Sequence, residues 1–289
     1  MENLSNKNIA ILGDLHGHFT LALSLLKRWE LESNEKIDLI LQVGDMGIWP
    51  FPYYRIDSAS LKHAQRDSDE LSFEDYYEGR GDAEIFFNFN SPFSVDASMI
   101  FIRGNHEDFD FLNEKAKYSH TLPVPVDYYS KFRYLPDGHV VSVNGLRIGG
   151  IGGVLNNKNP KAQYKQKDVS KLAAEGQVDI LLTHEPPYGA LDNHKGSPDI
   201  ESLILRLNPT LHFCGHYHMP GQKLEALGNT EGYILNEVNF RKRNTINPGC
   251  IGMLKWRSVD DYNFSFLSDD WLADYTRNNY RRKLIDFSL

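Results

Sequence analysis

The stretch Gly13-Asp14-Leu15-His16-Gly17-His18 directly follows the apolar run Ile9-Ala10-Ile11-Leu12. A short apolar run that ends at a glycine is typical of a buried strand. Residues 19–29 then carry leucines at helical spacing, and a second apolar run, residues 37–43, ends at Gly44-Asp45. A strand, a helix and a strand in this order predict an α/β fold with parallel neighbours. Asp14 and Asp45 would then share the sheet edge at which such folds form sites.

The composition is that of an ordinary globular protein. Of the 289 residues, 41% are hydrophobic and 24% are charged, so a sizeable core can form. The formal net charge of −8 gives the surface no general attraction to nucleic acid. Two cysteines, Cys214 and Cys250, do not make a disulfide framework. Because residues 1–7 lack a signal core and no stretch is long enough to span a membrane, we expect a cytoplasmic protein with no membrane partner.

Three later apolar runs also end in polar side chains. Residues 98–102 lead into Arg103-Gly104-Asn105-His106-Glu107, residues 178–182 into Thr183-His184, and residues 211–214 into Gly215-His216-Tyr217-His218. These runs predict three further strands whose carboxyl ends carry functional loops.

The remaining segments predict ordinary elements around this framework. Asn144-Gly145 between two apolar runs indicates a hairpin. Helices are expected at residues 165–174, 200–207 and 269–283, and closing strands at 245–249 and 251–256. No linker or repeat is evident, so we predict a single domain, residues 1–289, with insertions at 47–97 and 219–244. The first insertion is either a solvated excursion or a loop that shapes a substrate pocket beside Asp45.

The polar residues at the strand ends are the candidates for a functional site. Five of the 11 histidines lie at such ends, although a lone histidine is usually a surface or packing residue. Carboxylate, amide and imidazole groups together are the ligands that hard or borderline divalent metals take. The predicted metal-binding residues are Asp14, His16, Asp45, Asn105, His184, His216 and His218.

A charge count supports the assignment of two ions. Two divalent ions give +4, and Asp14, Asp45 and a bridging hydroxide give −3, which leaves a positive site for an anionic phosphate. Two metals about 3.5–4 Å apart can clamp the attacking and leaving oxygens of an in-line displacement. Asp45 stands alone at its strand end and has two carboxylate oxygens, so it can bridge both ions.

His106 follows Asn105 directly and is the candidate general acid. Such a group typically contributes roughly 10²–10⁴-fold to a rate by protonating the leaving oxygen. The alternative is a histidine that only orders the loop.

At these residues the chain resembles the calcineurin-like metallophosphoesterase superfamily. The matching blocks are Gly13-Asp14-Leu15-His16-Gly17, Gly44-Asp45, Gly104-Asn105-His106-Glu107, His184 and Gly215-His216-Tyr217-His218. The resemblance implies a four-layer αββα sandwich, in which two mixed sheets are flanked by helices. It also implies one metal held by Asp14, His16, Asp45 and His218, and a second held by Asp45, Asn105, His184 and His216. His106 would be the proton donor, and manganese, iron or zinc would be the usual metals.

The motifs differ from those of two subfamilies. Met46-Gly47-Ile48 follows Asp45 where the protein serine/threonine phosphatases carry aspartate, arginine and glycine. Residues 141–153 are similar to a segment of the RNA lariat debranching enzymes, which have a cysteine where this chain has Asp14. Lariat specificity therefore does not carry over, but the likeness favours a phosphodiester substrate.

The sequence thus predicts a hydrolase in which a metal-bound hydroxide attacks a phosphate ester and His106 donates a proton. A phosphodiesterase acting on a nucleotide or nucleic acid is the main hypothesis. A phosphomonoesterase acting on phosphoprotein, nucleotide or dinucleotide polyphosphate is the alternative, and a non-catalytic scaffold would lack ligands that are all present here. A basic patch, Arg241-Lys242-Arg243, and an aromatic segment, residues 49–54, either contact nucleic acid or are a solvated tip and an edge cluster.

Overall fold

The computed structural model describes residues 6–191, 195–241 and 244–286. Within these ranges, two mixed sheets contain thirteen strands. The strands are β1 Lys7–Leu12, β2 Leu39–Gln42, β3 Met99–Phe101, β4 Val124–Pro125, β5 Phe132–Tyr134, β6 His139–Val143, β7 Leu146–Ile151, β8 Ile180–Thr183, β9 Leu211–Cys214, β10 Gln222–Lys223, β11 Glu231–Ile234, β12 Ile251–Ser258 and β13 Asp261–Phe266.

Eight α-helices and three short 3₁₀-helices connect the strands in the described ranges. The α-helices are α1 Phe19–Ser33, α2 Ser58–Ala64, α3 Phe73–Glu78, α4 Asp82–Phe87, α5 Phe109–Tyr118, α6 Gln166–Ala174, α7 Pro198–Leu207 and α8 Tyr280–Asp286. The 3₁₀-helices span Ser68–Leu71, Pro160–Ala162 and Asp270–Asp274.

The first sheet has the order β13-β12-β1-β2-β3-β5-β4. Its central strands β1, β2, β3 and β5 are parallel, and β12 and β4 pair antiparallel at either side. The second sheet has the order β10-β11-β9-β8-β7-β6, with β11, β9, β8 and β7 parallel. Because the parallel strands of each sheet end at one edge, the loops that follow them are neighbours.

Side-chain alternation along β1 explains why the sheets stack. Ile9 and Ile11 belong to an apolar core that also contains residues of β8 and β9, so this face of the first sheet packs on the second sheet. Ala10 and Leu12 belong to a different core, which contains the buried side of α1. A third core joins the other face of the second sheet to α6 and α7. Helix, sheet, sheet and helix are four layers, which confirms the predicted αββα sandwich.

Three local predictions differ from the structure. Residues 245–249 are not a strand: Ile246 makes only an isolated bridge to Phe240, and β12 begins at Ile251. The predicted helix at 269–283 is a 3₁₀ turn followed by α8. The segment 47–97 is more helical than the expected excursion or loop, because it contains α2, α3 and α4, and residues 222–234 supply the edge strands β10 and β11. The single-domain prediction with insertions at 47–97 and 219–244 stays a prediction.

Candidate metal centre

The loops after β1, β2, β3, β8 and β9 converge at one edge of the stacked sheets. Two glycines make the close approach possible. A Cβ atom at Gly104 would overlap the Oδ1 atom of Asp45, and one at Gly215 would overlap the Oδ1 atom of Asp14. The glycine that opens each of these motifs is therefore needed so that a neighbouring loop can pack against a buried carboxylate.

The first group of donors contains Asp14, His16, Asp45 and His218, whose ligand atoms all lie within 4.8 Å of one another. Oδ2 of Asp14 lies 3.0 Å from Nε2 of His218, which lies 3.3 Å from Nε2 of His16. That nitrogen of His16 is in turn 3.7 Å from Oδ2 of Asp45. Metal–ligand bonds of about 2.0–2.2 Å place neighbouring ligand atoms about 3.0–3.5 Å apart, so this spacing fits one coordinated ion.

The second group contains Asp45, His184 and His216, with Asn105 beside them. Nε2 of His184 lies 3.4 Å from Oδ2 of Asp45 and 3.0 Å from Oδ1 of Asn105. Nδ1 of His184 donates to the Val43 carbonyl at 2.9 Å, which leaves the Nε2 lone pair for an ion. The structure therefore brings all seven predicted ligands together, with Asp45 common to both groups.

Two outer carboxylates face the imidazoles of the first group. Glu237 Oε2 lies 3.3 Å from Nδ1 of His218, and Glu70 Oε1 lies 3.8 Å from Nδ1 of His16. The Glu70 oxygen is buried and has no hydrogen-bond partner among the described residues. Histidines that bind metal through one nitrogen commonly have a carboxylate at the other, so both glutamates fit a metal centre. Neither was a candidate from sequence alone.

Four residues of the same loops have a strained backbone. His16, Asp45, His216 and His218 have φ values of 43°, 53°, 75° and 44°, which side chains other than glycine rarely adopt. Strained conformations of this kind persist where the surrounding structure fixes them, and they cluster at functional sites.

Burial and the charges of the buried carboxylates act in opposite directions on the imidazoles of the centre. Burial lowers the pKa of His16, and it lowers that of His216 to about 4. Burial acts in the same direction on His184 and His218, but the carboxylates of Asp45 and Asp14 outweigh it and raise the pKa of each imidazole to about 9. The chain alone thus gathers protons around its buried carboxylates. Divalent ions can displace these protons, because metal binding and imidazole protonation compete.

His106 lies at the edge of this group rather than inside it. Its Nδ1 is 2.8 Å from Oδ2 of Asp57, and the other oxygen of Asp57 caps α2 by accepting from the amides of Ala59 and Ser60. Burial alone would lower the pKa of His106, but the Asp57 hydrogen bond and the nearby carboxylates raise it to about 9. Asp57 was not predicted to be functional, because it lies in the irregular segment after Trp49.

Two buried side chains hold the motif loops in place. Glu107 accepts from the amides of Met46 and Ile48 at 2.7 and 2.8 Å, so it fixes the loop after Asp45. The Gln42 amide nitrogen donates to the carbonyls of Gly13 and Gly44, which ties together the first two motif loops.

A cavity of about 530 Å³ opens above the centre. Its floor includes predicted ligands and His106, and one wall comes from the segment between β2 and β3. The wall residues from that segment are Ala59, Ser60, His63, Arg66, Asp67 and Glu70. Part of the segment 47–97 therefore lies in the wall of a pocket beside Asp45. This placement favours the pocket-shaping interpretation over the solvated excursion.

The two predicted nucleic-acid contacts have different outcomes. In the aromatic segment, Trp49 is 1% exposed and cannot stack on a base, whereas Phe51 and Tyr54 are 64% and 89% exposed. In the basic patch, Lys242 and Arg243 lie outside the described residues.

A family model described as calcineurin-like phosphoesterase matches residues 7–220. The chain belongs to the calcineurin-like phosphoesterase family. Membership confirms the resemblance found in the sequence motifs. It also confirms the expectation of two divalent metal ions, because the family uses such a pair and the donor groups described above fit it.

Curated relatives include proteins named lariat debranching enzyme. The chain is 28% identical to the one from Drosophila pseudoobscura over 250 residues, and 25% identical to the one from Entamoeba histolytica over 271 residues. These alignments cover 73% and 81% of this chain, and 42% and 70% of the relatives. The human enzyme of that name is 25% identical over 251 residues, and 42% of it is covered. The chain thus spans less than half the length of several relatives that it matches.

Solved structures support the fold. The crystal structure of TT1561 from Thermus thermophilus superimposes with a TM-score of 0.52 at 13% identity, covering 91% of this chain and 99% of that chain. In the described part of the chain, no helix combines the length and the apolar character that a membrane crossing requires.

Proposed function

We propose that this chain is a dinuclear metal-dependent phosphodiesterase that acts on a nucleotide or nucleic-acid substrate, with His106 as proton donor. The observation that carries the proposal is the convergence of the seven predicted metal ligands at one place, with His106 beside them in the lining of the cavity. When bound, two divalent ions stabilise the charge that develops on the phosphoryl oxygens and lower the pKa of a bound water.

The side chains of this protein divide the remaining work. Asp14, His16, Asp45 and His218 would hold one ion, and Asp45, Asn105, His184 and His216 would hold the other. Asp45 Oδ1 accepts hydrogen bonds from the backbone amides of Asn105 and His106 at 2.7 and 2.8 Å. The same carboxylate therefore also positions the proton donor.

His106 protonates the departing oxygen. Nδ1 of His106 is hydrogen-bonded to Asp57, so Nε2 is the nitrogen that can donate a proton into the cavity. The Asp57 carboxylate favours the imidazolium, and loss of that proton to the leaving oxygen completes the cleavage.

Two observations favour a nucleic-acid diester over a monoester. Several relatives carry the name lariat debranching enzyme, which describes cleavage of a nucleic-acid phosphodiester. The exposed rings of Phe51 and Tyr54 lie in the segment that leads to Asp57, where they can offer stacking surfaces to bases. A cytoplasmic location, and the choice among manganese, iron and zinc, stay predictions.

The test is hydrolysis of bis(p-nitrophenyl) phosphate and p-nitrophenyl phosphate, side by side, by protein reconstituted with Mn²⁺. We expect a larger kcat/KM for the diester and no turnover after chelation. A preference for the monoester would establish the phosphatase alternative, and hydrolysis of neither ester would rule out the proposal. Loss of oligonucleotide affinity as salt rises would support the nucleic-acid substrate, because phosphate contacts weaken steeply with salt.

A further inference from the structure

Two arginines line the cavity, and only one of them is already engaged. The Arg277 guanidinium pairs with Asp67 and also donates to Asn239 Oδ1 at 2.9 Å. The Arg66 side chain is exposed and forms no ion pair or hydrogen bond with any residue in the described part of the chain. Arg66 is therefore available to an anionic ligand.

The carboxylate nearest to Arg66 in sequence does not neutralise it. Asp67 is bound by Arg277 and lies 3.3 Å from Nε2 of His18. The backbone at Arg66 is also fixed, because the amides of Arg66 and Asp67 both donate to the His63 carbonyl, at 2.8 and 2.9 Å. The structure thus places an unneutralised arginine in the cavity wall, on a segment whose backbone is fixed.

Arg66 lies at a different depth from the metal centre. Asp14, Asp45 and His184 are 0–1% exposed, whereas Arg66 is exposed in the cavity wall. At this exposed position Arg66 can contact a group other than the phosphate at the centre. A cavity of about 530 Å³ is within the size range of sites that take nucleotide-sized ligands.

We propose that Arg66 binds the phosphate next to the one that is cleaved, so that the site favours substrates with phosphates on neighbouring linkages, as in an oligonucleotide strand. An arginine fork can donate two charge-assisted hydrogen bonds to one phosphate. On a chain with a net charge of −8, such a local cation decides where a second anion is accepted. This inference rests on the proposed function, since it names the substrate class of the same site.

The test measures binding, so it does not depend on turnover. Calorimetry on Mn²⁺-loaded protein compares thymidine 5′-monophosphate with thymidine 3′,5′-bisphosphate. We expect the bisphosphate to bind about tenfold more tightly, since the free energy of one hydrogen bond between charged groups corresponds to about a tenfold change in affinity. Arg66→Gln should abolish this preference, and Arg66→Lys should keep part of it.

Lys62→Gln is the matched control, because it removes the same charge from exposed α2 at a position outside the cavity lining. Equal affinity of the wild type for both nucleotides would overturn the inference. So would a preference that survives Arg66→Gln or is lost equally in Lys62→Gln.

Turnover measured on the same samples separates this inference from the proposed function. The substrates are bis(p-nitrophenyl) phosphate and thymidine 3′-phosphate 5′-(p-nitrophenyl phosphate). Arg66→Gln should lower kcat/KM about tenfold for the nucleotide ester alone. If the wild type cleaves neither ester while the Arg66-dependent binding preference holds, the proposed function fails and the phosphate subsite stands.

Discussion

The floor and the wall of the cavity are built in different ways. The floor consists of short turns at the ends of parallel strands from both sheets, and the proposed ligands Asp14, Asp45 and His184 are almost fully buried there. The wall is a run of short helices between β2 and β3, and its residues His63 and Arg66 are exposed. The buried floor can hold ions and polarise a phosphate, whereas the exposed wall can select what surrounds that phosphate.

The largest effect is expected at the shared floor residue. Asp45→Ala should lose both ions and all measurable turnover, because Asp45 faces both donor groups and also accepts the amides of Asn105 and His106. Elemental analysis should find about two equivalents of metal in the wild type and almost none in the variant. Asp96→Ala, which removes an exposed carboxylate outside the cavity lining, should keep both ions. Retention of one full equivalent by Asp45→Ala would show that Asp45 is not shared.

The next effect concerns the proton donor, which lies between floor and wall. His106→Ala should keep its metal content but lower kcat roughly 10²–10⁴-fold, because the imidazole protonates the leaving oxygen. Metal analysis and steady-state kinetics on one sample measure both quantities. Equal losses of metal and turnover would assign His106 to the metal ligands instead.

Asp57 lies just before the wall residues in sequence and should affect the chemistry through His106. Asp57→Asn should lower kcat by about 10–100-fold with KM little changed, because the carboxylate orients His106 and favours its protonated form. Asparagine is also a good N-cap, so α2 keeps its start. Asp57→Ala removes the cap as well and should cost about 1 kcal/mol of stability in addition. If Asp57→Asn is fully active and only Asp57→Ala is impaired, the residue serves the helix alone.

The smallest effect is expected where the tail supports the wall. Arg281 pairs with Asp82 and donates to Asp69 Oδ1 at 2.7 Å, so the C-terminal helix is tied to the wall segment. Arg281→Ala should lower stability by about 1–2 kcal/mol and raise KM a few-fold, with both ions retained. Thermal melting and kinetics provide the comparison, with exposed Arg282→Ala as its control. A change in metal content would mean that the tail also supports the floor.

The sequence was sufficient to predict the floor. Each proposed ligand lies in a loop after an apolar run that became a strand. The rule that parallel strands end at one edge groups the loops of each sheet, and the family resemblance joined Asp14 of one group to His218 of the other. The sandwich was predicted from the family resemblance, and the structure shows its physical basis in the alternation that turns Ile9 and Ala10 to opposite faces.

The wall could not be predicted in the same way. Its helices are six or seven residues long, too short for a clear apolar period, and their stability comes from tertiary contacts. The sequence around Asp57 indicates only an ordinary helix N-cap. Its additional hydrogen bond, to His106, depends on the tertiary packing of the segment against the loop after β3. Likewise, the positive φ values of His16 and His218 come from loop packing rather than from local propensity.

Anomalous diffraction from crystals of the Mn²⁺-loaded protein locates the ions themselves. We predict two peaks about 3.5–4 Å apart, on either side of Asp45. One should lie among Asp14, His16 and His218, and the other among Asn105, His184 and His216. A single peak, or peaks away from Asp45, would contradict the dinuclear centre on which the proposed phosphodiesterase depends.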